Sequence, residues 1–135
     1  MTTLDVHLVT PEREVWAGEA RFVVARSISG ELGVLPGHEP TLAALAIGPV
    51  KIEAGNGEIV RAVVDGGFLS VGQQVDGVTR VDVLAEHVSL MSEIDAESVR
   101  GFEQEAERLR NAGDEDGARA AHASADARRH LSAEH

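Results

Sequence analysis

Val78-Thr79-Arg80-Val81-Asp82-Val83-Leu84-Ala85-Glu86 and, a few residues later, Asp95-Ala96-Glu97-Ser98-Val99-Arg100-Gly101-Phe102-Glu103-Gln104-Glu105-Ala106-Glu107-Arg108-Leu109 stand on two sides of a change of period. In the first stretch Val81 and Val83 alternate with polar neighbours, the period-two pattern of a strand with one face in a core and the other in water. In the second, β-branched residues become rare. Val99, Phe102, Ala106 and Leu109 recur at helical spacing, leaving Glu103, Glu105 and Arg110 facing water. Asp95 suits an N-cap, and Glu97 follows in the first turn, where the helix dipole favours negative charge. The chain therefore divides into a β part and an α part, with the junction at 89–93.

Upstream of that junction the strand pattern repeats. Leu4, Val6 and Leu8 alternate with Asp5 and His7, and Thr10-Pro11-Glu12-Arg13 turns the chain because Pro fixes φ. Val15-Trp16 and the run 21–25 read as two short strands separated by Gly18. Gly30-Glu31-Leu32-Gly33-Val34-Leu35-Pro36-Gly37-His38-Glu39-Pro40 is dense in Gly and Pro, which predicts a shaped loop. The runs 50–53 and 59–64 flank Gly55-Asn56-Gly57-Glu58, and an Asn-Gly pair predicts a tight hairpin with positive φ at both residues. Phe68, Leu69 and Val71 follow Gly66-Gly67. About eight to ten short strands with turn signals about every ten residues predict an antiparallel β-sandwich or flattened barrel.

Downstream, Asn111-Ala112-Gly113-Asp114-Glu115-Asp116-Gly117 stops the first helix and a second runs over 118–131. So short a connection predicts an antiparallel two-helix hairpin. The second helix offers its neighbour mainly Ala118, Ala121, Ala125 and Leu131. Small side chains bury little area, so the hairpin is expected to be weakly held. The fold class is thus α+β by segments: a β-sandwich over 1–88, a linker over 89–93 and an antiparallel two-helix hairpin over 94–132.

A chain of 135 residues accommodates one small domain with an appendage. Its formal net charge of -11 argues against nucleic acid and anionic membrane surfaces as partners. With no Cys, disulfides and thiolate metal sites are excluded. Apolar runs of about ten residues fall short of a bilayer span, so no direct membrane insertion is expected. The start Met1-Thr2-Thr3-Leu4-Asp5 lacks the basic and apolar regions of a signal peptide, which predicts a cytosolic or peripherally attached protein.

Catalytic chemistry finds no support. A Gly-x-Ser-x-Gly elbow is missing, and His7, His38, His87, His122, His130 and His135 lack zinc-binding spacing, although His122 and His130 can share a helical face. Solvated histidines are the expectation. The glycines carry neither a P-loop nor a dinucleotide fingerprint. No catalytic residue, metal ligand or cofactor is therefore assigned. Arg119, Arg128 and Arg129 differ in sign from the rest of the molecule and are candidates for meeting an acidic partner. Two other classes remain as alternatives: a free-standing regulatory or ligand-binding β-sandwich, and, far behind it, a metal-dependent enzyme.

The stretch 30–40 resembles the signature of the epsilon subunit of bacterial F-type ATP synthases. Thr10-Pro11-Glu12-Arg13 with Gly18-Glu19-Ala20, then Gly48-Pro49-Val50-Lys51-Ile52, Gly66-Gly67-Phe68-Leu69-Ser70-Val71 and Val83-Leu84-Ala85-Glu86 match further blocks in family order. The resemblance implies a non-catalytic part of the rotating central stalk. Its sandwich would pack on the gamma subunit and touch the c-ring, coupling proton flow to ATP synthesis carried out elsewhere, at the cytoplasmic face of the cell membrane. By matched position Glu31, Leu32, Gly37 and His38 would lie at the c-ring end. The hairpin would leave the sandwich and extend into the catalytic alpha/beta head, restraining ATP hydrolysis through Arg119, Arg128 and Arg129. Some members bind ATP with an Asp and an Arg three residues later. Here Asp95 is present, but Ser98 occupies the Arg position, so the resemblance carries over no nucleotide site.

Overall fold

Period-two alternation builds eight strands in the computed structural model, which describes residues 3–133; the Met1-Thr2 start and His135 lie outside the described residues. They are β1 Leu4–Val9, β2 Glu14–Ser27, β3 Gly30–Val34, β4 Thr41–Ala54, β5 Ile59–Asp65, β6 Phe68–Gln73, β7 Thr79–Leu84 and β8 Val88–Leu90. Leu4, Val6 and Leu8 of β1 are wholly buried while Asp5 and His7 between them stay partly exposed, as the alternation requires. Ile52, Leu69, Val71, Val81 and Val83 complete a single core between two layers.

Two long strands join those layers. β2 pairs with β1 through 14–20 and with β3 and β4 through 20–27, while β4 pairs with β6 through 41–44 and with β5 through 47–53. The result is a flattened barrel. Its pairings are antiparallel except for β1 against β7, which runs parallel from Leu4↔Thr79 to Val9↔Leu84. No hairpin links these two strands, so no tight turn dictates their relative direction.

Four local expectations change. The two strands read over 15–16 and 21–25 are one strand, with Gly18 in its interior opposite Val6. A Cβ there would come within 3.2 Å of the Trp16 ring, so glycine makes room for the indole and does not break the strand. The loop read over 30–40 begins only at Leu35, because β3 adds to the open edge of β2, with Gly30 at φ 129 turning the chain. The Asn-Gly hairpin is a three-residue loop. Gly57 N–H donates to Ala54 O at 2.9 Å and Ala54 N–H to Glu58 O at 2.8 Å, and positive φ is confined to Gly57, the bulge position after a type I turn. Asn56 serves through its side chain, whose Oδ1 accepts from Glu58 N–H at 2.9 Å. Finally, Ser89 and Leu90 of the expected linker belong to β8, paired with β5, and Met91–Glu93 form a 3-10 turn. Arg13 grips Glu93 there with bonds of 3.0 and 2.8 Å.

α1 spans Ala96–Asn111 and α2 spans Glu115–Ser132. Asp95 caps α1 by accepting from Ser98 N–H at 2.8 Å, and Ser98 Oγ accepts from Asp95 N–H at 3.1 Å. α2 starts three residues earlier than its Ala-rich stretch suggests. Asp114 accepts from Gly117 N–H at 2.9 Å, drawing Glu115 and Asp116 into the first turn, so that the connection shrinks to Ala112, Gly113 (φ 84) and Asp114. The start of α1 lies beside the end of α2, as in an antiparallel pair. α2 rests on β4 and β5, and α1 packs on α2. A small second cluster of Val63, Ile94 and Leu131 sits beneath them.

Candidate functional site

Three surfaces carry the candidate residues. On the first, Glu31 is exposed on β3 beside the β2–β3 turn, where Ile28 is 73% exposed. Leu32 is half-buried against the sandwich core. Gly37 and His38 lie beyond the other end of β3. Gly37 has φ 88 and its N–H donates to Thr79 Oγ1 at 2.8 Å, while His38 O accepts from Gln73 Nε2 at 3.1 Å. The loop after β3 is thus tied to the β6–β7 turn, which also carries the fully exposed Val75. The four residues are not one cluster, because a strand stands between Glu31 and the pair Gly37-His38.

The second surface is an apolar strip on the outer face of the β1–β7–β6 layer. Phe68 and Leu84 are direct cross-strand partners, Ala44 pairs with Phe68 on its other side, and Leu42 lies two residues before Ala44. Phe68, Leu84 and Leu42 are all exposed, and with Val9 and Pro11 the first two line a shallow cavity of about 420 Å³. Ile28 N–H donates to Ala44 O at 3.0 Å, so the strip continues to the β2–β3 turn. Further along β7 the strip gives way to Arg80, whose pKa is raised chiefly by its hydrogen bond to Asp82. The strip was legible by parity: Leu69, Val71, Val81 and Val83 point inward, so Phe68 and Leu84 must point out.

The third surface is the seat of the hairpin. Arg128 is wholly buried and each of its three guanidinium nitrogens donates a hydrogen bond. Nη1 and Nη2 donate to Asp65 Oδ1 and Oδ2 at 2.7 and 3.0 Å, Nε donates to Ser89 Oγ at 3.0 Å, and Nη1 also donates to Ser124 O at 3.1 Å. The ring of Phe102 lies 4.1 Å from Cζ, and His87 meets the same ring edge-on at 5.8 Å. Asp65 is buried with it, its side chain 7% exposed. A forked guanidinium matches a carboxylate bidentately, which fixes both the depth and the rotation of α2 on the sheet.

With the hairpin docked, the three candidate arginines of α2 do not share one face: Arg128 is buried while Arg119 and Arg129 are exposed. Successive helical residues point about 100° apart, so Arg128 faces the sheet while Arg129 faces out. In this docked state Arg119 is paired with Asp116, and Arg129 with Asp126 and with Glu103 of α1. The signal was in the spacing: Ala121, Ala125 and Arg128 follow the i, i+4, i+7 stripe that also buries Ala118. Asp65 gave no such signal, since an acid at a strand end reads as solvated. Asp95 and Ser98 spend their polar groups on each other as a reciprocal cap.

Histidines are not uniformly solvated. His7 is half-buried between Asp5 and Glu14, at 3.0 and 3.6 Å, whereas His122 and His130 lie exposed, one beside the Asp126 carboxylate and one on its carbonyl. Among the described residues no three His, Asp or Glu side chains gather as a metal-holding group.

Comparison with known proteins gives one consistent answer. Residues 3–79 match the family model of the ATP synthase delta/epsilon chain beta-sandwich domain. The chain is 46% identical over 111 residues to the ATP synthase epsilon chain of Streptomyces avermitilis, covering 82% of this chain and 83% of that one. It is 50% identical over 108 residues to that of Thermobifida fusca, covering 78% and 75%. Against the Brevibacillus brevis epsilon chain identity is 36% over 108 residues, covering 80% and 78%. Among solved structures, a chain of the Euglena gracilis mitochondrial ATP synthase (OSCP/F1/c-ring) superposes with a TM-score of 0.70 at 24% identity, covering 99% of this chain and 82% of that one. At that identity the likeness speaks for the fold.

Proposed function

The chain belongs to the ATP synthase delta/epsilon chain family, and from that premise we propose that it is a central-stalk rotor subunit, with no active site of its own, that transmits rotation between the c-ring and the gamma subunit during proton-driven ATP synthesis. The observation that carries this reading is the unpartnered apolar strip of Leu42, Phe68 and Leu84 on a rigid sheet, on the layer opposite the one that seats the hairpin. Exposed aromatic and aliphatic side chains on a preformed surface are what a permanent protein partner needs. The gamma subunit occupies that strip. Polar loops of the c-ring meet Glu31 and Leu32 on β3 and Gly37 and His38 in the loop that follows it. The sandwich, 1–88, is the docking unit and the hairpin, 94–132, the regulatory one.

Undocking of the hairpin frees Arg128 from Asp65, and together with Arg119 and Arg129 it then meets acidic segments of the catalytic alpha/beta head and restrains ATP hydrolysis. The protein sits peripherally at the cytoplasmic face of the bacterial cell membrane; no helix among the described residues is long and apolar enough to cross it. The test is a pull-down from detergent-solubilised membranes using the tagged chain, read by mass spectrometry. Recovery of the gamma subunit and c-ring is expected, and their absence from wild-type eluates overturns the reading.

A further inference from the structure

Lys51 and Arg61 stand directly opposite each other across β4 and β5. Like charges in that relation are destabilising, and among the described residues neither has a carboxylate within ion-pairing distance, although the chain holds 23 Asp and Glu against 12 Lys and Arg. Arg26, on the neighbouring β2, likewise has no ion-pair partner among the described residues. The three cations line one groove of about 350 Å³ on the sheet face that also seats α2. Val24 and Pro49 contribute to its floor, Leu131 of α2 borders it, and Glu31 is the sole acid among its lining residues. Phe22 holds the Lys51 ammonium 5.8 Å above its ring, which keeps that charge beside the groove.

A cavity of this size suits a small molecule, and forked guanidinium groups suit phosphate oxygens. We propose that this groove binds a small, multiply charged phosphate compound, and that because Leu131 borders the groove only when α2 is docked, the bound anion favours the docked hairpin. This site lies on the sandwich, apart from the capped start of α1, and needs no rotary partner. Anything that binds only the docked state stabilises it by mass action.

The full chain is titrated calorimetrically with pyrophosphate in about 100 mM salt, where a single site with Kd below about 1 mM is expected. The double variant Lys51→Gln/Arg61→Gln weakens it by at least about tenfold, and in ligand-free buffer melts no lower than wild type because the mutual repulsion is gone. Arg26→Gln, which leaves the opposed pair intact, weakens binding by about threefold or more. Pyrophosphate also slows amide exchange in α2. Absence of saturable binding, affinity unchanged in the variants, unaltered exchange in α2, or binding confined to anionic phospholipid vesicles overturns the proposal.

Discussion

The sandwich and the hairpin are held by different physics. In the sandwich, Leu4, Val6, Leu8, Ile52, Leu69, Val81 and Val83 are removed from water almost entirely, and each such side chain contributes about 1.5–3 kcal/mol. In the hairpin the buried residues are Ala106, Ala118, Ala121, Ser124 and Ala125, with Leu131 the one large aliphatic and Arg128 bound to Asp65 beneath it. Alanine methyls remove little area, and the attraction within a buried ion pair is largely offset by the desolvation of its two charges. Apolar burial thus makes the sandwich stable without demanding one orientation, whereas the ion pair gives the hairpin a single orientation at little net stability. One is a platform and the other a latch.

Breaking the platform should produce the largest effect. Gly67 has φ 96, and a Cβ on it would lie 2.0 Å from Leu84 O. Gly67→Ala combines a left-handed backbone penalty with a backbone collision, together about 2–6 kcal/mol, and is expected to leave no cooperatively folded sandwich by circular dichroism. A variant that melts normally would show that β6 and β7 can part, and the platform would then be no stiffer than the arm.

Removing the latch comes next. Arg128→Ala strands a buried carboxylate and is expected to cost about 3 kcal/mol, all of it local. Amide exchange in α2 should accelerate while the sandwich keeps its protection; loss of protection in both together would make them one cooperative unit and end the comparison. Arg128→Met with Asp65→Leu removes both charges and should restore docking. Asp65→Asn keeps the arginine but loosens its seat, so in the reconstituted rotary complex it should raise the undocked population about tenfold and lower ATP hydrolysis. Unchanged hydrolysis separates the latch from regulation.

The sequence announced the platform better than the latch, for a physical reason. Period-two alternation is a local property, so Leu4, Val6 and Leu8 declare their burial within six residues, as Val99, Phe102 and Ala106 declare a helix. Helical periodicity also assigns Arg128 inward, but only when charge is not allowed to veto the spacing. Its partner Asp65 lies 63 positions away, a separation no local pattern spans. β3 was hidden because Gly30 and Gly33 have poor strand propensity while an open edge of β2 supplied the ladder. Glu31, Gly37 and His38 were found as a motif, yet their division between two ends of a strand needed the register.

A smaller effect is expected where the platform meets its partner. Leu84→Ser together with Phe68→Ser removes exposed apolar area and leaves the core untouched, so the chain should melt as wild type but bind the gamma subunit about 10–100-fold more weakly, a loss of about 1.4–2.8 kcal/mol. Equal affinity would move the docking face elsewhere on the sandwich.

The smallest effect belongs to the ion pairs on the hairpin's surface, and it separates the latch from its decoration. Arg108 holds the Glu105 carboxyl below its ordinary pKa, first by a hydrogen bond and then by its charge, with desolvation opposing. A carboxyl whose pKa is depressed by folding contributes stability above its unfolded pKa and loses it as pH falls through the folded one. Acid should therefore loosen α1 slightly through this group as pH falls below the ordinary glutamate value of 4.5. Both partners are well exposed, so screening by water and salt keeps the contribution small: Glu105→Gln should shift hairpin melting by less than about one degree, and the shift should vanish in about 1 M salt. The buried Arg128–Asp65 pair is shielded from ions, so the Arg128→Ala defect should persist in the same salt. If instead salt removed both effects equally, α2 would be held by diffuse surface charge, and the buried pair would not be what orients the arm.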